Sequence, residues 1–458
     1  MQWSAAQIVD ATGGTLHHAG EEGARLDGVG IDSRRVIPGM LFVPVRAERD
    51  GHAFIAAALA AGAGGCLAES DRVEDVDVPE GTVTIEVADT RAALSCLGGA
   101  ARDRLTGPVV GITGSVGKTS AKDLTAAALG TRFRVAASER SFNNELGVPL
   151  TLANAPGDTN VAVVEMGARA PGDIRDLCAV ARPTIGVVTA VAASHTETFG
   201  TIDGVAAAKA ELIGSLPASG TAVLNCDDSR VAAMAARSAA PVLLWSAEGR
   251  PGADVTAHDI RIDDQLRASF VLRSPWGSVP VALEVRGVHQ VGNALAAASV
   301  ALCCGVDLDG VSTGLARGQL SPWRMEVRLA PAGGRVINDA YNANPTSMAA
   351  ALRSLAALEA DRRIAVLGIM AELGPDEDHE HYQMAALAAE LGIEVVAVGT
   401  DLYGLAPEAD MAAAAARIGG IGPGTAVLIK GSRVAGLERL AALLAPSVDR
   451  PPAGSGSG

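Results

Sequence analysis

At 458 residues the chain is long enough for roughly three domains of about 150 residues each. Hydrophobic residues make up 48% of it and aromatics only 3%, so its cores must be built mainly from Ala, Val and Leu. A net charge of −15 excludes a general nucleic-acid surface, while leaving room for an anionic substrate wherever basic residues gather.

The opening stretch "MQWSAAQIVDATGG" has no basic segment and no long apolar core, so no signal peptide is expected. Cys66, Cys96, Cys178, Cys226, Cys303 and Cys304 form no C-x-x-C pair, which suggests free thiols in a reducing compartment and a cytoplasmic protein. A first segment, residues 1–107, ends at the breaker Thr106-Gly107-Pro108. It contains the short apolar run "LFVPV" and the Ala-rich helical stretch "FIAAALAAGA", and reads as a small α/β module. Arg34, Arg35, Arg46 and Arg49 form a local basic cluster suited to a pyrophosphate, or an ordinary solvated set.

The second segment, residues 108–321, alternates strands and helices. Apolar runs at Val109–Thr113, Val161–Met166, Ile185–Thr189 and Thr221–Asn225 predict parallel strands covered on both faces, hence an open, mostly parallel sheet. The first run leads into Gly114-Ser115-Val116-Gly117-Lys118-Thr119-Ser120 and then a helical pattern. Glycines let the backbone curl so that its N–H groups converge on phosphate oxygens, and a helix N-terminus adds partial positive charge. Lys118 is placed to neutralise β- and γ-phosphates and the Thr119 hydroxyl to ligate Mg²⁺. The strict pattern asks for Gly where Ile112 stands; Gly111 and Gly114 flank it instead.

Glu165 ends an apolar strand, at the sheet edge where ligands bind, and is a second candidate for Mg²⁺. On spacing alone His195 reads first as a structural histidine and second as a metal ligand. Lys209, in an Ala-rich helical stretch, reads first as a solvated lysine. The sharper alternative is a buried amine of lowered pKa that can capture CO₂ as a carbamate. The uncharged stretch "VHQVGNALAAASVALCCGV" is expected to be a buried helix and not a membrane span.

A third segment, residues 322–446, follows "QLSPWRMEV" and resumes the rhythm with Arg335–Asp339, Ile364–Gly368, Val395–Gly399 and Ala426–Lys430. "DEDHEHY", with His379 and His381, is expected to be a solvated helix start in preference to a metal cluster. Residues 447–458 are a Gly/Pro/Ser tail without packing capacity.

In this order "DSRRVIPGMLFVPV", "DGHAF", "GITGSVGKTSAKD", "SFNNELGVPLTL", "VVEMGA", "SHTETFG", "AAAKAEL", "GVHQVGNALAAA", "NDAYNANPTSM" and "LIKGSR" resemble the Mur ligase family over nearly the whole chain. The resemblance implies an α/β protein of three domains: a small N-terminal domain for a UDP-sugar, a central P-loop ATPase, and a C-terminal Rossmann-like domain. It implies ATP and Mg²⁺ as cofactors and amide formation through an acyl phosphate. "DAYNANP" and "NNELGVP" look like the family's D-alanyl-D-alanine-adding member, which implies UDP-N-acetylmuramoyl-tripeptide and D-alanyl-D-alanine as substrates and a monomer as the working form.

By the same resemblance His195 becomes a ligand of a second Mg²⁺, and a carbamate on Lys209 a bridge to that site. Asn293 would lie near adenine, and Arg324 and Asp339 would contact phosphate and ribose. Asn143, Asn144, Asn342 and Asn344 would face the peptide substrates, Lys430 and Arg433 the dipeptide carboxylate, and Ser33 and Arg34 the UDP-sugar. One position departs from the pattern: "LGIMAELG" has Ile369 where the family carries an acid. Two other readings stay open: a folylpolyglutamate- or cyanophycin-type amide ligase, and a nucleotide-binding homologue that has lost catalysis.

Overall fold

A computed structural model describes residues 1–21, 23–75, 78–139, 141–192 and 196–446. Its α/β architecture rests on three large sheets and one two-stranded ribbon, Gln2–Ser4 with Arg25–Asp27. The N-terminal sheet has five strands. Thr15–Ala19 lies antiparallel on Val83–Val87, and Gly65–Glu69, Leu41–Phe42 and Val29–Gly30 follow in parallel.

The central sheet has nine strands. Val109–Thr113 sits between Val161–Glu165 and Ile185–Val188, with Thr221–Asn225 and Val242–Ser246 continuing in parallel on one side and Val135–Ala137 on the other. Its far edge turns antiparallel through Val255–Ile262, Arg267–Ser274 and Gly277–Arg286. Gly277–Arg286 alternates buried and exposed residues, because helix Leu308–Arg317 packs on one face while the other meets solvent. The expectation of a mostly parallel sheet holds for the middle, and the antiparallel edge was not read from the sequence.

The C-terminal sheet runs Glu326–Leu329, Arg335–Asn338, Thr425–Lys430, Arg362–Leu367, Glu394–Ala397, with only the first strand antiparallel. The four strand positions expected here from continuous apolar runs agree with these strands to within one or two residues.

The uncharged stretch is indeed a buried helix: Gln290–Cys303 is buried along nearly its whole length, against helix Lys118–Leu129. Among the described residues no helix is long and apolar enough to cross a membrane.

The expectation for "DEDHEHY" needs a correction. His379 is exposed, but His381 is fully buried. The Met370 N–H donates to its Nε2 (2.8 Å), so Nδ1 carries the proton and donates to the Glu377 carbonyl (2.7 Å). The imidazole pins the segment after strand Arg362–Leu367 to helix Glu377–Glu390 and meets the Tyr403 ring edge-on (5.0 Å). Among the described residues no group of three or more His, Cys, Asp or Glu side chains is gathered as a metal cluster.

Candidate active site

The carboxyl ends of the central strands open into a cavity of about 1020 Å³ that the C-terminal sheet helps to line. Its floor is the loop between strand Val109–Thr113 and helix Lys118–Leu129. Gly117, at φ 84°, is the residue before the helix, and a Cβ there would come within 2.5 Å of Asn293 Oδ1. Only glycine allows both that dihedral and that approach. The loop is tied to the neighbouring strand end: Ser115 N–H donates to the Ala190 carbonyl (2.7 Å), and Thr189 Oγ1 to the Val116 carbonyl (2.6 Å).

Lys118 Nζ turns back onto the Gly114 carbonyl at 2.6 Å. Burial lowers its pKa; Glu165 pulls it upward and Arg324 pushes it further down. Thr119 Oγ1 donates to Glu165 Oε2 (2.7 Å) and accepts from Arg324 Nη2 (2.7 Å). Asn143 Nδ2 donates to the other Glu165 oxygen (2.8 Å). A buried carboxylate beside a hydroxyl is a hard-oxygen donor pair of the kind Mg²⁺ takes, so these residues fit that ion. Ser120 follows Thr119 in the same wall.

Lys209, on helix Ile202–Gly214, also faces the cavity, yet is only 2% exposed. Its ammonium lies 5.9 Å from the Phe199 ring centre. Burial first, then the charge of Lys118, bring its pKa down to about 7 against the pull of Asp173 and Glu211. The solvated-lysine reading is therefore wrong for this residue.

The C-terminal side contributes Arg324, Asp339, Asn342, Asn344, Lys430 and Arg433. Arg324 stacks 4.3 Å over the Tyr341 ring, and Tyr341 OH meets Ser141 Oγ across the junction. Trp323 and Met325, on either side of Arg324, both have left-handed backbones (φ 63° and 51°). Lys430 is buried and committed to Asp339 Oδ2 (2.6 Å) and the Asn342 carbonyl (3.0 Å). Arg433 pairs with Glu438 (2.8 Å) and covers Trp323 (4.5 Å). Asn344 caps helix Pro345–Ala357 through Ser347, and Asn144 Oδ1 accepts from Gly147 N–H (3.0 Å). Both amides thus do local turn work while facing the cavity.

Of the residues singled out from sequence, Ser33 and Arg34 lie elsewhere: they sit on the turn Ser33–Arg35, away from the cavity lining, where Arg34 pairs with Asp32 (2.8 Å). Arg35 pairs with Glu139 and Arg46 with Glu69 and Asp71, while Arg49 is exposed. His195 falls outside the described residues. Ile369 accepts a hydrogen bond from Ser432 N–H through its backbone carbonyl (2.8 Å), a contact independent of its side chain.

Sequence reasoning missed the far wall beside Asn293: Asn225, Asp227 and Trp245. Asn293 Nδ2 donates to Gln290 Oε1 (2.8 Å), and the Trp245 ring packs against Gly292, where a Cβ would stand 3.1 Å away. The apolar run "PVLLWS" was the available signal for the strand that carries Trp245.

Residues 112–301 match the Mur ligase middle domain and residues 323–445 the "Mur ligase, glutamate ligase domain". A Mycobacterium bovis protein named UDP-N-acetylmuramoyl-tripeptide–D-alanyl-D-alanine ligase is 39% identical, with 87% of this chain and 84% of that protein covered. The chain belongs to the Mur ligase family. Among solved structures, this ligase superposes on MurF from Acinetobacter baumannii with TM-score 0.84 and 29% identity, over 97% of this chain and 99% of the other. MurF from Thermotoga maritima, solved with ADP, gives TM-score 0.76 and 26% identity over 91% and 96%.

Proposed function

We propose that this ligase joins D-alanyl-D-alanine to UDP-N-acetylmuramoyl-tripeptide at the cost of ATP, in peptidoglycan precursor synthesis in the cytoplasm, as a monomer. The observation that carries the reading is one cavity lined by the phosphate loop, Glu165, Lys209 and the asparagines of "NNELG" and "NANP". Residues 1–107 hold the UDP-sugar, with Ser33 and Arg34 at its site; residues 108–321 hold ATP; residues 322–446 close over both.

A carboxylate is a poor electrophile because oxide is its leaving group. Its oxygen therefore attacks the γ-phosphorus of ATP, the bond to ADP breaks, and an acyl phosphate forms. The free amine of D-alanyl-D-alanine then attacks the carbonyl carbon, inorganic phosphate departs with the bonding pair, and the amine gives up a proton. Negative charge accumulates on the transferring group, so the cations around it matter most. Lys118 swings from the Gly114 carbonyl onto the β- and γ-phosphates, regaining the counter-charge it lacks here. Thr119 and Glu165 would hold Mg²⁺, and His195 would serve a second ion. When bound, Mg²⁺ neutralises phosphate oxygens.

Arg324 leaves the Thr119 hydroxyl for phosphate, Asn293 meets adenine and Asp339 the ribose. Asn143, Asn144, Asn342 and Asn344 orient the peptides without adding charge, and Arg433 with Lys430 faces the dipeptide carboxylate. Lys209, neutral in a substantial fraction near neutral pH, attacks CO₂ through nitrogen; an N–C bond forms as one C–O π bond opens, one proton leaves the nitrogen, and the neutral amine becomes a carbamate anion.

The test is phosphate release from ATP. It should require both UDP-N-acetylmuramoyl-tripeptide and D-alanyl-D-alanine, and Lys118→Ala should abolish it nearly completely. Release driven by folate and glutamate would favour the folylpolyglutamate type. Tight nucleotide binding without turnover would favour the impaired homologue.

A further inference from the structure

Five of the cationic side chains facing the cavity are accounted for. Lys118 bonds the Gly114 carbonyl, Arg324 Thr119, Lys430 Asp339 and Arg433 Glu438, and Lys209 is desolvated. Arg169 also lines the cavity, and among the described residues its guanidinium has no ion pair or hydrogen bond. Its position is nevertheless fixed. Asp173 Oδ2 accepts from the backbone N–H groups of Arg169 (2.7 Å) and Ala170 (2.8 Å). Glu211, one turn or less from Lys209, accepts from Gly172 N–H (2.8 Å) and Arg175 N–H (3.0 Å). A free cation on a pinned backbone at a cavity wall is suited to an anionic group of the ligand.

The same wall continues along helix Asp173–Ala181. Asp173, Asp176, Leu177 and Val180 share one helical face and all line the cavity. Asp173 is spent on the loop. Among the described residues the carboxylate of Asp176 has only a 3.7 Å contact with its exposed neighbour Arg175. The wall starts beside the reacting centre: Gly167 N–H bonds the Asn143 carbonyl (2.7 Å), and Asn143 bonds Glu165. Moving away from Glu165 along the chain, the wall presents first Arg169 and then Asp176.

Resting on the function proposed above, we infer that Arg169 and Asp176 read the side chain of the tripeptide's third residue, and that they select one ending in both a carboxylate and an ammonium. That residue donates the reacting carboxylate, so its side chain must leave the reacting centre close to Glu165 and run along this wall. Arg169 takes the distal carboxylate and Asp176 the distal ammonium. A third residue ending in an amine alone satisfies Asp176 and leaves Arg169 facing water.

The experiment compares kcat/KM for two UDP-N-acetylmuramoyl-tripeptides that differ only in carrying meso-diaminopimelate or L-lysine third. It uses the wild type, Arg169→Gln and Asp176→Asn, with the KM for ATP and the Tm followed alongside. The wild type should favour the diaminopimelate peptide by about tenfold, the worth of one charge-assisted pair. Arg169→Gln should erase that preference by slowing the diaminopimelate peptide alone. Asp176→Asn should slow both to a similar degree, and neither variant should move the KM for ATP. Equal use of the two peptides by the wild type overturns the inference. So does an equal loss on both in Arg169→Gln, which assigns the guanidinium to the glutamyl carboxylate that the peptides share. Absence of turnover with either peptide fells the parent reading instead, and this inference with it.

Discussion

Lys209 is the residue where burial and chemistry conflict most. Its pKa near 7 in the folded chain compares with 10.5 for an ordinary lysine. Below about pH 7 it is protonated both folded and unfolded, and the full cost of burying the charge is present. Between 7 and 10.5 the unfolded chain holds a proton that the folded one has shed, so this residue's contribution to stability rises with pH. Lys209→Met, of similar length and uncharged, should therefore raise stability by a few kcal/mol at pH 6. The gain should shrink as pH rises through 9, measured by guanidinium unfolding in carbonate-free buffer. A gain independent of pH would mean that packing, and not charge, is the cause. Ligase activity should be lost in the same variant. Around "AAAKAEL" the buried amine of lowered pKa was legible only as the second reading, behind a solvated lysine, because groups that surround Lys209 come from other elements. The phosphate loop was legible because its glycines, lysine and threonine lie together in one short continuous segment.

Whole elements were legible where burial is two-sided. Continuous apolar runs marked the strands around Glu165 and Asp339, since parallel strands under helices expose neither face. The hairpins at 255–286 were missed because one open face makes their pattern alternate, and His381 was misread because its partners, Met370 and Glu377, are backbone atoms. The helix that presents the phosphate loop depends on a close contact farther along. Gly314 on helix Leu308–Arg317 packs so near helix Lys118–Leu129 that a Cβ would lie 2.6 Å from both the Ala127 carbonyl oxygen and the Ala128 Cα. In Gly314→Ala, better helix propensity offers about 1 kcal/mol. Overpacking against backbone, which cannot rotate away, costs about 1–3 kcal/mol. The second effect should win, lowering the denaturation midpoint and raising the KM for ATP as the phosphate-loop helix shifts. An unchanged midpoint would show that the two helices separate freely.

At the scale of the molecule, the two junctions beside the cavity are built differently. The N-terminal sheet shares one hydrophobic core with the central sheet: Leu41, Leu67, Val83 and Ile85 belong to the cluster that also holds Val109, Ala162 and Val164. Polar contacts reinforce it, with Trp3 Nε1 donating to the Ala153 carbonyl (3.2 Å) and the Asn154 side chain bonding both backbone groups of Val29 (2.8 Å each). Among the described residues the C-terminal sheet keeps its own two clusters, into which only Leu266 intrudes from the central part. Among the described residues, hydrogen bonds that cross the cavity include Arg324 to Thr119 and Tyr341 to Ser141, while Ser321 N–H to Asp123 Oδ2 (2.7 Å) anchors the connecting segment to the central part. An apolar shared core resists hinging, whereas polar contacts exchange with water at little cost. Motion should therefore concentrate at residues 319–325, where Trp323 and Met325 already hold left-handed backbones that few side chains favour. Limited trypsin digestion of the free ligase should cut first at Arg317 or Arg324, separating a C-terminal fragment while residues 1–316 stay joined. A non-hydrolysable ATP analogue with Mg²⁺ and UDP-N-acetylmuramoyl-tripeptide should slow that cut severalfold, because phosphate then draws Arg324 into the closed cavity. First cleavage near residue 107, or no protection by the ligands, would place the moving joint elsewhere.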